Sequence, residues 1–133
     1  MNVIIFIPNL VGAGAEKVAL SIYKGLSEYS SVETKVLVQE LKGELISQVD
    51  EKSLHCLGVR STIVSFFRLR EYLKKNDVDV VLGIMNMPSL MAVLAKMTIA
   101  KPKFQVISTV HNDFRVEIEI SNKNLKGKIR NLF

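Results

Sequence analysis

Chemistry in this chain is most concentrated near its start. The stretch "NLVGAGAEKVAL", residues 9–20, follows five apolar residues, 3–7, and a proline, Pro8. Glycines in a tight turn let a backbone approach something closely. If a helix begins there, its exposed N–H groups and partial positive charge favour an anionic oxygen, such as one on a diphosphate. The plain alternative is a sharp strand-to-helix turn with no ligand. The dinucleotide fingerprint G-x-G-x-x-G fails at its third position, where Lys17 stands, although Glu40 could imitate the ribose-binding acid of that motif. Nothing matches the phosphate-binding pattern G-x-x-x-x-G-K-[ST].

Other candidates are few. His111 and Asn112 follow an apolar β-type run, where a side chain would face a ligand crevice. His55 lies beside Cys56 in a short apolar segment and reads as a structural residue. Two histidines far apart, with no cysteine at a recognisable spacing, give no basis for a zinc site, and no metal or other cofactor is expected. Asp77 and Asp79 flank Val78 at the start of a strand, the wrong edge for a paired-carboxylate site, and Glu117 and Glu119 fall in a loop.

The elements that must position these residues alternate between two periods. Residues 3–7 form a continuous β-branched and aromatic run, as in a strand buried on both faces. From Ala15 the apolar positions Ala15, Val18, Ala19, Ile22, Leu26 and Tyr29 make a helical stripe. Further strands are expected at 34–39, 54–57, 78–83 and 104–110. A short helix is expected at 44–51. A longer one, capped by Ser61 or Thr62, should run to about Asn76 through Ile63, Phe66, Phe67, Leu69 and Leu73. Another follows Pro88 to about Thr98, apolar nearly all round and so expected to be well buried. A last helix, capped at Ser121 or Asn122, carries Leu125, Ile129 and Leu132 on one face.

Strict β–α alternation with short connections predicts an α/β, doubly wound, Rossmann-like parallel sheet with helices on both faces and strand order 3-2-1-4-5. Ligands of such sheets sit at the carboxyl ends of the strands where the winding reverses. Here that crevice lies between strands 1 and 4, and the loops 9–16, 84–88 and 111–114 should meet there. The topology therefore gathers Gly12, Gly14, Asn86, His111 and Asn112 into one place.

Composition bounds the rest. A chain of 133 residues, 48% apolar, is one domain able to bury a core without disulfides. The single cysteine, Cys56, fits a reducing compartment. Met1 is followed directly by Asn2 and the apolar run, without the basic start of a secretory signal. No apolar stretch reaches the roughly 18–20 residues that span a bilayer, so a cytoplasmic position is expected. The net charge of +5 invites anionic partners, but most of the charges are dispersed over a solvated surface, and no nucleic-acid partner is expected.

The segment 8–19, with Gly12, Ala13, Gly14, Ala15, Glu16 and Lys17, resembles the opening of family 4 glycosyltransferases of the GT-B fold: a strand, a proline, then G-G-A-E-[KR] leading into the first helix. "VISTVHND" resembles the family's segment in which a strand delivers a histidine to the cleft, and "LREYLKKNDVDVVLG" resembles its usual helix–strand junction. The resemblance spans essentially the whole chain. It implies a metal-independent, retaining enzyme of two domains, which moves a sugar from a nucleotide-sugar donor to a glycan or lipid-linked acceptor in polysaccharide or cell-envelope synthesis. Gly14 would then present backbone N–H to the donor diphosphate and His111 would contact the transferred sugar. Gly12, Ala13, Glu16, Asn86 and Asn112 would complete the donor and acceptor contacts of this half, with capping of the first helix as the equal alternative for Glu16. Two departures accompany it. Ala13 stands where the first glycine of the pair is usual, and the family's C-terminal domain, with its E-x7-E pair, has no counterpart here. The expectation is a parent chain more than twice as long, or a donor half on another chain, and no transfer by residues 1–133 alone. A non-catalytic nucleotide- or partner-binding module and, more distantly, an NAD-binding domain are the alternatives.

"FFRLREYLKK", residues 66–75, mixes apolar and basic residues in a way that fits a helix lying on an anionic bilayer. The competing expectation is that its apolar side packs on the sheet while the basic stems cover the rest.

Overall fold

The computed structural model describes residues 1–109. Strand β1 (Asn2–Ile7) leads to helix α1 (Gly14–Ser27), strand β2 (Glu33–Val38), two short 3-10 turns (Glu44–Gln48 and Glu51–Ser53) and strand β3 (Leu54–Cys56). Helix α2 (Thr62–Lys75), strand β4 (Val80–Ile84), helix α3 (Asn86–Thr98) and strand β5 (Gln105–Thr109) follow. All pairings are parallel and the sheet order is β3-β2-β1-β4-β5. The fold is thus the Rossmann-like α/β sheet expected from the alternation.

The apolar run of β1 makes it the central strand, and alternate residues serve opposite layers. Ile4 and Phe6 pack with Leu37, Val81, Leu69, Leu73 and Ala92 beneath α2 and α3. Ile5 and Ile7 pack with Val36, Val38, Leu82 and Ile84 beneath α1 and the first 3-10 turn, through Ala19, Leu20, Tyr23 and Leu45. At the amino edge Asp79 ties three strands together. Its carboxylate accepts from Asn2 N at 2.7 Å, its N–H donates to Asn2 O, and its carbonyl accepts from Gln105 N. That role accounts for an acid at this position without any catalysis.

Two helices differ from the sequence pattern. In α1 the buried residues are Glu16, Ala19, Leu20 and Tyr23, with Ala15 and Ile22 of the expected stripe partly buried beside them, while Val18 and, just beyond the helix, Tyr29 are exposed. Ala19 belongs to both apolar rows, and the entry angle of the helix selects the row. In α3 the inner residues Met91, Ala92 and Ala95 are buried, but Met87, Leu90, Val93, Leu94 and Met97 are exposed. All-round apolarity therefore did not mean all-round burial, because only one layer of this sheet lies under the helix. Val110, the loop at 111–114 and the last expected helix lie outside the described residues.

Candidate functional site: the carboxyl edge between the first and fourth strands

Strands β1 and β4 are neighbours, and each is followed by a helix that starts at the carboxyl edge of the sheet. After β1 the chain spends residues 8–13 on a turn that is held from one side. Gln39 N and Glu40 N both donate to Pro8 O at 3.1 Å, Leu10 N donates to Lys42 O at 2.9 Å, and Leu45 N donates to Leu10 O at 3.1 Å. This bracing requires Gly43, which has φ 121° and whose missing Cβ would lie 2.0 Å from the Leu10 carbonyl oxygen. Gly12 has φ 104°, a conformation suited to glycine, and a Cβ there would meet the Glu44 carboxylate at 2.7 Å.

Gly14 differs from both. It is the first residue of α1, its φ is not positive, and nothing lies within 4 Å of where its Cβ would be. The turn does not need a glycine at this position. Ala13 is the N-cap residue, with extended φ −74° and ψ −175°, and offers no side-chain oxygen to the first-turn N–H groups. Glu16 occupies the position from which an acid can complete a capping box, but no such cap is formed. Instead Glu16 is buried, and its Oε2 has no hydrogen-bond partner among the described residues. A buried oxygen of this kind is costly, and the positive end of α1 offsets part of that cost.

The connection after β4 is a single residue. Met85 has φ 78° and ψ 167°, a region that side chains other than glycine rarely enter and that stores roughly 1–3 kcal/mol of strain. Helix α3 then begins at Asn86, so this residue sits in a helical first turn rather than in the expected loop. Pro88 follows in the same turn, where a missing N–H costs nothing. Gly83 permits the close start, since a Cβ there would lie 2.6 Å from Ser89 Cα, and Ser89 Oγ donates to Gly83 O at 2.9 Å.

The structure thus carries Gly12, Ala13, Gly14 and Glu16 on one connection and Asn86 on the adjacent one, at the edge expected for a ligand. His111 and Asn112 lie outside the described residues. The sequence reading missed Met85, Gly43 and Gly83. Gly43 stands directly before the helix expected at 44–51, but its closeness to Leu10 links segments more than thirty positions apart, and no local pattern encodes strain at a methionine.

The remaining candidates read as structural. His55 stacks on Tyr72 with ring centroids 4.7 Å apart. Burial pushes the Tyr72 hydroxyl above its ordinary value of 10.0, while the Lys35 ammonium pulls it the other way. Cys56 Sγ accepts from Gly58 N at 3.3 Å and donates weakly to Gln39 O at 3.7 Å. Glu40 Oε1 accepts from Arg60 Nε and lies 3.0 Å from Arg60 Nη2, so the acid that could imitate a ribose ligand already holds an arginine. Among the described residues no three acidic, histidine or cysteine side chains converge as a metal site. No protein-family model, curated protein or solved structure matches the chain.

Proposed function

We propose that this chain is the acceptor-side domain of a GT-B family 4 glycosyltransferase, which moves a sugar from a nucleotide-sugar donor to a glycan or lipid-linked acceptor. Gly14 carries the reading. The fold explains Gly12, Gly43 and Gly83 by positive φ or by a close neighbour, but it gives no reason for a glycine at the first position of α1. Open space in front of that backbone, and uncapped N–H groups behind it, suit the approach of a diphosphate. The uncapped start of α3 and the strain at Met85, on the adjacent strand, support a ligand crevice at the same edge.

In this reading Gly14 and Ala15 donate backbone N–H to the donor diphosphate, Gly12 and Ala13 shape the approach, and Glu16 and Asn86 border the acceptor. His111 contacts the transferred sugar, and Asn112 belongs with the donor and acceptor contacts. The donor nucleotide is held by a second domain, on a longer form of this chain or on a partner, and the enzyme works in the cytoplasm at the inner face of the cell membrane. Retention of configuration and independence of a metal follow from the family likeness. The engagement of Glu40 with Arg60 counts against the NAD-binding alternative.

The test is a titration of the 15N-labelled chain with UDP-glucose, GDP-mannose and NAD, following the amides of Gly14 and Ala15. Concentration-dependent shifts at these two amides with a nucleotide sugar are expected. Shifts with NAD and none with the sugars would overturn the reading, and sugar transfer catalysed by residues 1–133 alone would overturn the need for a second domain.

A further inference from the structure

We propose that the outer face of α3 is an interface at which two copies of this chain pair through antiparallel α3 helices. Helix α3 buries Pro88, Ser89, Met91, Ala92 and Ala95. The opposite face should be polar in a helix that only covers a sheet. Instead it carries Met87, Leu90, Leu94 and Met97, between 40% and 76% exposed, with the exposed Val93 beside them. No other helix among the described residues exposes as many large apolar side chains. Single exposed apolar residues are ordinary, but five on one helix of 13 residues make a patch that calls for a partner.

Spacing selects the partner. The steps between Met87, Leu90, Leu94 and Met97 are three, four and three residues, the spacing of a seam along which one helix packs on another. The order of types, methionine, leucine, leucine, methionine, reads the same in both directions. A twofold axis level with Ala92 therefore sets Met87 against the partner's Met97 and Leu90 against the partner's Leu94. A surface complementary to itself is what twofold pairing requires. The unbranched methionines at the two ends adapt readily to a facing side chain. Charge agrees with this choice. The one charged residue of α3, Lys96, donates its ammonium to Gln105 Oε1 of β5 at 3.0 Å. Arg70, reaching over from α2, is held at the end of α3 by the Thr98 carbonyl at 2.9 Å. With no acid in α3, the seam attracts no charged partner, and no like charges within it oppose a second copy. Antiparallel pairing also sets opposite ends of the two helix dipoles side by side.

The competing occupant is the chain's own segment 110–133. It carries Lys123, Lys126, Lys128 and Arg130, for which α3 offers no carboxylate. A second copy brings no such unmatched charge to the seam. Helix α3 runs from the carboxyl edge of the sheet to its amino edge, so antiparallel pairing turns the carboxyl edges of the two copies in opposite directions. Helix α1 packs on the other layer of the sheet, which leaves Gly14 outside the interface. The pairing therefore does not depend on the transferase reading.

Sedimentation equilibrium of the 133-residue chain tests the proposal. A concentration-dependent equilibrium between monomer and dimer is expected. The exposed pair Leu90→Glu/Leu94→Glu should weaken the dimer about a hundredfold or more, with a circular dichroism spectrum that matches the parent chain. Cysteines read the orientation. In a Cys56→Ser background, oxidising a mixture of Met87→Cys and Met97→Cys chains should link the two variants to each other, while each variant alone should give little linked product. A parent chain that stays monomeric at every concentration overturns the proposal. If that monomer also loses stability to urea in the Leu90→Glu/Leu94→Glu variant, the occupant of the face is segment 110–133 instead. A dimer that survives the double substitution overturns the proposal too. So does linkage of Met87→Cys chains to one another in preference to the mixture, which is the mark of parallel pairing.

Discussion

From Ile7 to Gly14 the chain uses six residues to pass from strand to helix, and from Ile84 to Asn86 it uses one. Both connections leave adjacent parallel strands and deliver a helix start at the same edge of the sheet. The long one is braced from outside by the segment 39–45, and its shape depends on Gly43 fitting under the Leu10 carbonyl. The short one is braced from within, by Gly83 against Ser89 and by a strained Met85. The contrast separates glycines the fold requires from one at a helix start that it does not; Gly25, near the other end of α1, is also unforced but lies away from this edge. Gly43, Gly83 and Gly12 each answer to a steric demand, and Gly14 answers to none.

Substitutions can break that contrast. Gly43→Ala should be the most damaging, by about 3–5 kcal/mol, because positive φ and a backbone clash coincide. A urea midpoint within error of the parent chain would show that the bracing of residues 8–13 is dispensable. Gly83→Ala inserts a methyl against the Ser89 backbone and should cost about 2–3 kcal/mol, read from the same denaturation series. At Gly12 the neighbour is the end of an exposed glutamate that can swing away, so alanine there should cost only the left-handed backbone, about 1–2 kcal/mol.

Gly14→Ala sharpens the comparison most, although its effect is the smallest. Alanine fits the helical conformation and the open space, and should stabilise the chain by about 0.5–1 kcal/mol. If the proposed donor contact holds, the nucleotide-sugar response at the Ala15 amide should weaken in the same variant, because the added methyl would stand in the path of the diphosphate. A loss of stability equal to that of Gly12→Ala would make Gly14 a structural residue and remove the main support for the donor reading.

Much of this architecture could be read before any coordinates. Residues 3–7 and 80–84 are apolar enough to be buried on both faces, and the right-handed crossover rule then orders the sheet. The edge at which a ligand is expected follows from that order alone. The rotation of α1 did not, since Ala19 belongs to two apolar rows and the row containing Glu16 looks polar. Nor could α2 be divided in advance between a buried row, Leu69 and Leu73, and an exposed one, Ile63 and Phe67.

The sequence by itself determined the strands, the long helices among the described residues and their order, because period and chain connectivity are local properties. Only the tertiary structure decided which glycines are forced, where Met85 is strained and which apolar residues of α2 and α3 remain exposed. Those are contacts between segments distant in the chain. Whether a missing Cβ is a necessity or an opening depends on the atom that would stand opposite it.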